Sequence, residues 1–168
     1  VVTLLALTVF CPPILKAQPN ETEPLAVQYY QNGEFDKAVS LFEQAYNRNP
    51  DTRLYEYYFD CLIQLQQFKE AEKFLGKQQR RFPDRIQYVV DLGYVYHKAG
   101  DPTAARKQFD NALKNLYPDR TAVLDLSSAF QRRGQTEYAI KTLIEGKKLL
   151  RNERPLNDEL AELYLKND

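Results

Sequence analysis

A comb of small and large residues recurs along this chain every 33 or 34 positions. Ala38, Ala71, Ala105 and Ala139 form one column. Tyr29, Leu62, Tyr96, Phe130 and Tyr164 form a second, and Leu25, Tyr58, Leu92, Leu126 and Leu160 a third. Gly33, Gln66, Gly100 and Gly134 mark a turn at the same step. A period in this range belongs to supersecondary units stacked in a row, none of which can bury its apolar face alone. The comb therefore excludes a single layered globule. It points instead to a chain whose long exposed faces are shaped by repetition.

Within the period, the pattern is helical. In the third unit, Ile86 to Lys98 is apolar at Val89, Leu92, Gly93 and Tyr96, a 3–4 spacing. Ala99-Gly100-Asp101 interrupts it, with Gly100 as a left-handed cap. Asp101 and Pro102 then suit the N-cap and first position of a second helix. That helix has Ala105, Phe109, Ala112 and Leu113 on its buried stripe and ends at Tyr117-Pro118. The fourth unit repeats the plan with Val123, Leu126, Ser127, Phe130, Gly134, Ala139, Leu143 and Gly146. The first has Leu25, Ala26, Tyr29, Gly33, Ala38, Phe42, Ala45 and Pro50. Leu160, Ala161 and Tyr164 open a fifth.

These phrases resemble the tetratricopeptide repeat. Tyr29…Gly33-Glu34-Phe35-Asp36-Lys37-Ala38…Phe42…Ala45…Pro50 and Leu92-Gly93…Tyr96…Gly100…Ala105…Phe109…Ala112 follow that pattern in phase from about Gln18 to the C-terminus. The resemblance implies an all-α fold, a right-handed α-solenoid of antiparallel helix pairs. Its units fall at about 19–51, 52–85, 86–119 and 120–153, with a partial one at 154–168. The second unit departs from the pattern. Phe59 and Gln78 stand where small residues are usual, and Gln66 takes the place of the capping glycine. A left-handed Gln66 carries a strain of roughly 1–2 kcal/mol, so a different turn or wider helix spacing is open there.

Residues 1–17 differ in kind. Val1–Leu15 is almost wholly apolar, too short for a membrane span of about 20 residues, and is followed by Lys16, Ala17 and a polar run. This suits a signal peptide cleaved after Ala17, and hence an exported, periplasmic or cell-surface bacterial protein. An uncleaved N-terminal anchor is the alternative and would be the chain's one tie to a membrane. Lipidation of Cys11 is disfavoured by the bulk of Phe10. Loss of Cys11 would leave Cys61, on an apolar helical stretch, as a small buried hydrophobe without a disulfide partner. Asn20-Glu21-Thr22 matches a glycosylation acceptor, which has meaning only in a eukaryotic secretory pathway.

Formal charge cancels, with 23 basic and 23 acidic residues, so nothing draws the whole chain toward nucleic acid. The charge is unevenly spread: Gln18–Glu72 holds ten acidic and four basic residues, Arg120–Arg154 eight basic and four acidic. Solvated helix faces explain this, as would head-to-tail contact or a partner of mixed charge. The single histidine, His97, excludes a histidine-built metal cluster. No nucleophile elbow, phosphate loop or dinucleotide fingerprint is present. Lys77, Arg80, Arg81 and Arg85 suit a helix C-terminus. We therefore expect no enzyme, no cofactor, no small-molecule substrate and no nucleic-acid partner.

The family resemblance implies that the first helix of each unit lines a concave groove for a protein or peptide. By phase the groove residues are Tyr57, Asp60, Asp91, Tyr94, His97, Lys98, Asp125, Ser128, Gln131 and Arg132. Carboxylates, Tyr, His and Lys suit an extended polar peptide. Glu23, Val27, Glu56 and Asp60 fall where relatives that bind a C-terminal carboxylate carry their clamp, and the acidic members would repel that ligand. The expected function is a non-catalytic scaffold that binds its partner in the groove. The alternative is the sensory or docking N-terminus of a longer signalling or catalytic protein.

Overall fold

The computed structural model of the chain describes residues 21–150 and 156–166. All regular structure there is helical: α1 (Thr22–Gln31), α2 (Phe35–Arg48), α3 (Thr52–Gln64), α4 (Phe68–Arg81), α5 (Gln87–Lys98), α6 (Pro102–Lys114), α7 (Arg120–Arg132), α8 (Thr136–Leu150) and α9 (Asn157–Leu165). The expected cleavage site after Ala17 lies outside the described residues, as do Cys11 and Asn20. No described helix is long and apolar enough to cross a membrane. The chain divides into two compact units, the boundary falling inside α3 between Tyr58 and Phe59.

The turns between helices come from local chemistry. At the end of α5, Gly100 has φ +82°. Its N–H donates to the His97 carbonyl at 3.2 Å and the Asp101 N–H to the Tyr96 carbonyl at 2.9 Å, the paired bonds of a Schellman cap. The same pair recurs after α1, α3 and α7, and each time the longer loop closes on the large comb residue: Tyr29, Leu62, Tyr96 or Phe130. Gln66 adopts φ +55° and keeps both bonds. The second unit therefore has the ordinary turn, at the cost of a strained glutamine. Asp101 Oδ1 accepts from the Ala104 N–H at 2.9 Å, with Pro102 next to it at the helix start. Asp51 and Asp119 cap α3 and α7 likewise. The helix begun at Pro102 ends at Lys114, three residues before the expected Tyr117-Pro118 stop.

In the first unit, α1 packs on α2. Ala26, Ala38 and Phe42 are fully buried between them. In the second unit, α5 pairs with α6 and α7 with α8, while α5 also meets α4 and α7, and α8 meets α9. One core runs through Val90, Phe109, Val123, Leu126, Phe130, Leu143 and Leu156. Phe109, Phe130 and Tyr138 form an aromatic triad, with ring centroids 5.0–5.5 Å apart. Gly93 and Gly146 make the close approaches possible. A Cβ on Gly93 would lie 2.3 Å from the Phe109 ring, and one on Gly146 2.4 Å from Val123.

Two stripes differ from expectation. In α5, Val90, Asp91, Gly93 and Val95 are buried, whereas Val89, Leu92 and Tyr96 are half-buried. Flanked by α4, α6 and α7, the helix has a wider buried arc than one partner would give it. In α9 the buried residue is Leu163, while Ala161 and Tyr164 are exposed. Ala161 occupies the column of Gly93, the face that α6 covers in the third unit.

Candidate functional site

The groove residues inferred from phase do not share one fate. Tyr57, Asp91 and Asp125 stand in a single column, 34 residues apart. In the first unit, the half-buried Tyr57 ring stacks on Phe42 at 5.0 Å and meets Tyr30 edge-on at 4.9 Å. It belongs to an aromatic cluster of α1–α3. In the second unit, Asp91 is 1% exposed and paired with Arg133, whose Nε donates to Oδ1 at 2.5 Å. Asp91 was expected to face a ligand. The structure corrects this, because an unpaired carboxylate at such depth would carry a large desolvation penalty. Asp125 alone of the three is exposed.

Arg133 is the residue that phase did not single out. It follows α7 and reaches back to α5 and to the second half of α3. Its guanidinium lies 4.6 Å from the Phe59 ring centroid and 5.8 Å from that of Tyr94, and its side chain is 11% exposed. A weakly hydrated planar cation over aromatic faces, with a carboxylate at its edge, is a favourable arrangement for a buried arginine. Phe59 was noticed as a break in the comb, but nothing in the sequence tied it to a residue 74 positions on.

Tyr94 sits at the rim of this cluster, half-buried and 6.4 Å from Phe59, with the exposed Lys98 ammonium 5.9 Å from its ring centroid. His97 is exposed one turn from Tyr94, and Asp60 is half-buried. Arg132 and Asp125 line an open cleft of about 900 Å3 that also takes in Arg85, Asp84 and Asp119 from the loops before α5 and α7. The exposed Tyr117 stands in its wall. This cleft is mixed in charge. Gln131 and Ser128 are exposed and line a separate, smaller pocket beside α9. Of the basic run Lys77, Arg80, Arg81 and Arg85, Arg81 and Arg85 lie over the Phe82 ring at 5.1 and 5.7 Å. Both the dipole of α4 and the ring account for those charges.

No described group of His, Cys, Asp and Glu could hold a metal ion. Cys61 is buried, and desolvation, reinforced by Asp60, pushes its thiol up to about 12. Such a thiol carries too little thiolate at neutral pH to act as a nucleophile.

Two family models of the tetratricopeptide repeat match the sequence, over residues 29–92 and 90–145. No curated protein matches it. Among solved structures, a thermophilic TPR protein of Thermus thermophilus is 24% identical. That likeness covers 89% of this chain and 83% of the other, with a TM-score of 0.46. MamA from Desulfovibrio magneticus RS-1, residues 41 to the end, is 16% identical over 81% of this chain and 77% of its own, with a TM-score of 0.46.

Proposed function

The chain belongs to the tetratricopeptide repeat family, and on that premise we propose that it holds a protein or peptide partner against the face formed by α5 and α7. One observation carries the reading: Tyr94, Lys98, Asp125 and Arg132 are displayed on adjacent first helices, with Asp125 and Arg132 opening into the 900 Å3 cleft. The cleft's mixed Arg and Asp lining suits a polar peptide better than an apolar helix, since each charge prefers an opposite partner. Tyr and Arg are also the side chains that most often dominate binding energy at protein interfaces. Under this reading Asp91 and Arg133 hold Tyr94 in place from beneath, and Tyr57 packs on Phe42.

The reading is tested by capture. A partner retained by the wild-type chain should stay bound to the His97→Ala variant. It should lose several hundredfold to a thousandfold in affinity when Tyr94 and Arg132 are both changed to Ala, given roughly 2 kcal/mol for each anchoring residue and a factor of ten for each ~1.4 kcal/mol. The double variant must melt near the wild-type temperature. Undiminished binding by a folded double variant overturns the assignment of the face. We also propose an exported protein, on the strength of the apolar Val1–Leu15 segment and the small Ala17. The N-terminal residue of the native protein tests this, and a start at Gln18 is expected.

A further inference from the structure

A small pocket of about 200 Å3 is lined by residues of α7, α8 and α9. Leu124, Leu143 and Leu163 contribute apolar wall. Ser128 and Gln131 of α7, and Glu159 and Glu162 one turn apart on α9, add polar atoms. The volume is below the roughly 300–1,000 Å3 of sites that take a whole small molecule, and it suits one long side chain.

The carboxylates are unevenly served. Glu162 Oε1 accepts from Lys166 Nζ at 2.5 Å, an exposed pair within α9. Glu159 Oε1 accepts from Arg120 Nη2 at 3.2 Å. Glu159 Oε2 is buried and has no hydrogen-bond partner among the described residues. A carboxylate oxygen removed from water and left without a donor is unfavourable and rare in native structures. Here it occurs at a cavity that could admit the missing donor. Apolar walls next to an unserved anionic oxygen match a side chain with a long aliphatic stem and a cationic end.

We propose that this pocket receives one lysine or arginine side chain of the bound peptide, with the stem along the leucines and the cation on Glu159 Oε2. The inference rests on the reading above for the peptide that delivers the side chain. It assigns that peptide a basic residue that reaches the pocket between α7 and α9.

The test needs no knowledge of the partner. The protein is titrated with Nα-acetyl-lysine N-methylamide while its backbone amides are followed by NMR. Saturable shifts are expected at Ser128, Gln131 and Glu162, and none with the norleucine analogue, which has the stem without the ammonium. Glu159→Gln should weaken binding roughly tenfold, and Glu162→Gln less. Equal shifts with norleucine would make the pocket merely apolar. Undiminished binding by Glu159→Gln, or no saturable shift at all, would mean that solvent serves the oxygen, and either result overturns the proposal. Lysine binding without any loss in the capture experiment would leave the pocket standing and remove only the α5–α7 face.

Discussion

The second and third repeats fill the same two columns with their bulk on opposite helices. In α5–α6 the first helix contributes Gly93 and the second Phe109, whose ring lies where a glycine Cβ would be. In α3–α4 the same columns hold Phe59 and Leu75, both buried. Moving the large ring to the first helix gives it a new neighbour. Phe59 becomes the floor under Arg133, which in turn neutralises Asp91. A departure that looks like damage to one repeat is thus half of a contact made by another. Arg133 has no counterpart in its own column either, where Ala99, Leu65 and Asn32 stand.

The largest way to break this comparison is to remove the arginine. Arg133→Ala removes the guanidinium set against the buried Asp91 and should cost about 3–5 kcal/mol in chemical denaturation. A cost below about 1 kcal/mol would place Asp91 in water rather than in the core. Gly93→Ala tests the other pair. The added methyl must displace a Phe109 ring already held by Phe130 and Tyr138. Overpacking of about 1–3 kcal/mol should therefore outweigh the helix propensity gained, roughly 1 kcal/mol. Phe109→Leu, which imports the Leu75 solution, should recover part of that loss when combined with Gly93→Ala. Simple additivity of the two would refute the volume exchange.

Smaller effects come from the turns. Gln66→Gly should stabilise by about 1 kcal/mol by relieving its left-handed backbone, and Gly100→Gln should destabilise by a similar amount. A Cβ at Gly100 meets nothing within 4 Å, so the second change reports the backbone alone. The smallest effect is alkaline. Tyr138 is pushed up to about 12 by desolvation first and by its hydrogen bond to Asp110 second, and Cys61 to about 12 chiefly by desolvation. Both acids hold their protons more tightly when folded. The unfolded chain therefore releases protons first, and stability falls as pH rises from the unfolded values toward 12. Melting curves of Tyr138→Phe should show a shallower decline over that window than wild type.

The parts of the fold legible in the sequence are those made by neighbours in sequence. Gly100, Asp101 and Pro102 dictate a cap, an N-cap and a helix start within three residues, and Gln66 declares its strain by standing in a glycine column. The comb also identifies which residues point away from a helix's own partner. It does not say what they meet. Tyr57, Asp91 and Asp125 share a column, yet one stacks on Phe42, one is buried under Arg133 and one lines the open cleft. The deciding contacts join residues as far as 42 positions apart, and periodicity has no means of expressing them.

The most direct test is a double-mutant cycle between Phe59→Leu and Arg133→Met, read as unfolding free energies, in which the common loss at Asp91 cancels. If the irregular second pair is the platform for the arginine, the two changes should couple by about 1–2 kcal/mol, the range of a desolvated cation–π contact. Coupling within about 0.3 kcal/mol of zero would contradict the account and leave Phe59 a filler of its own repeat.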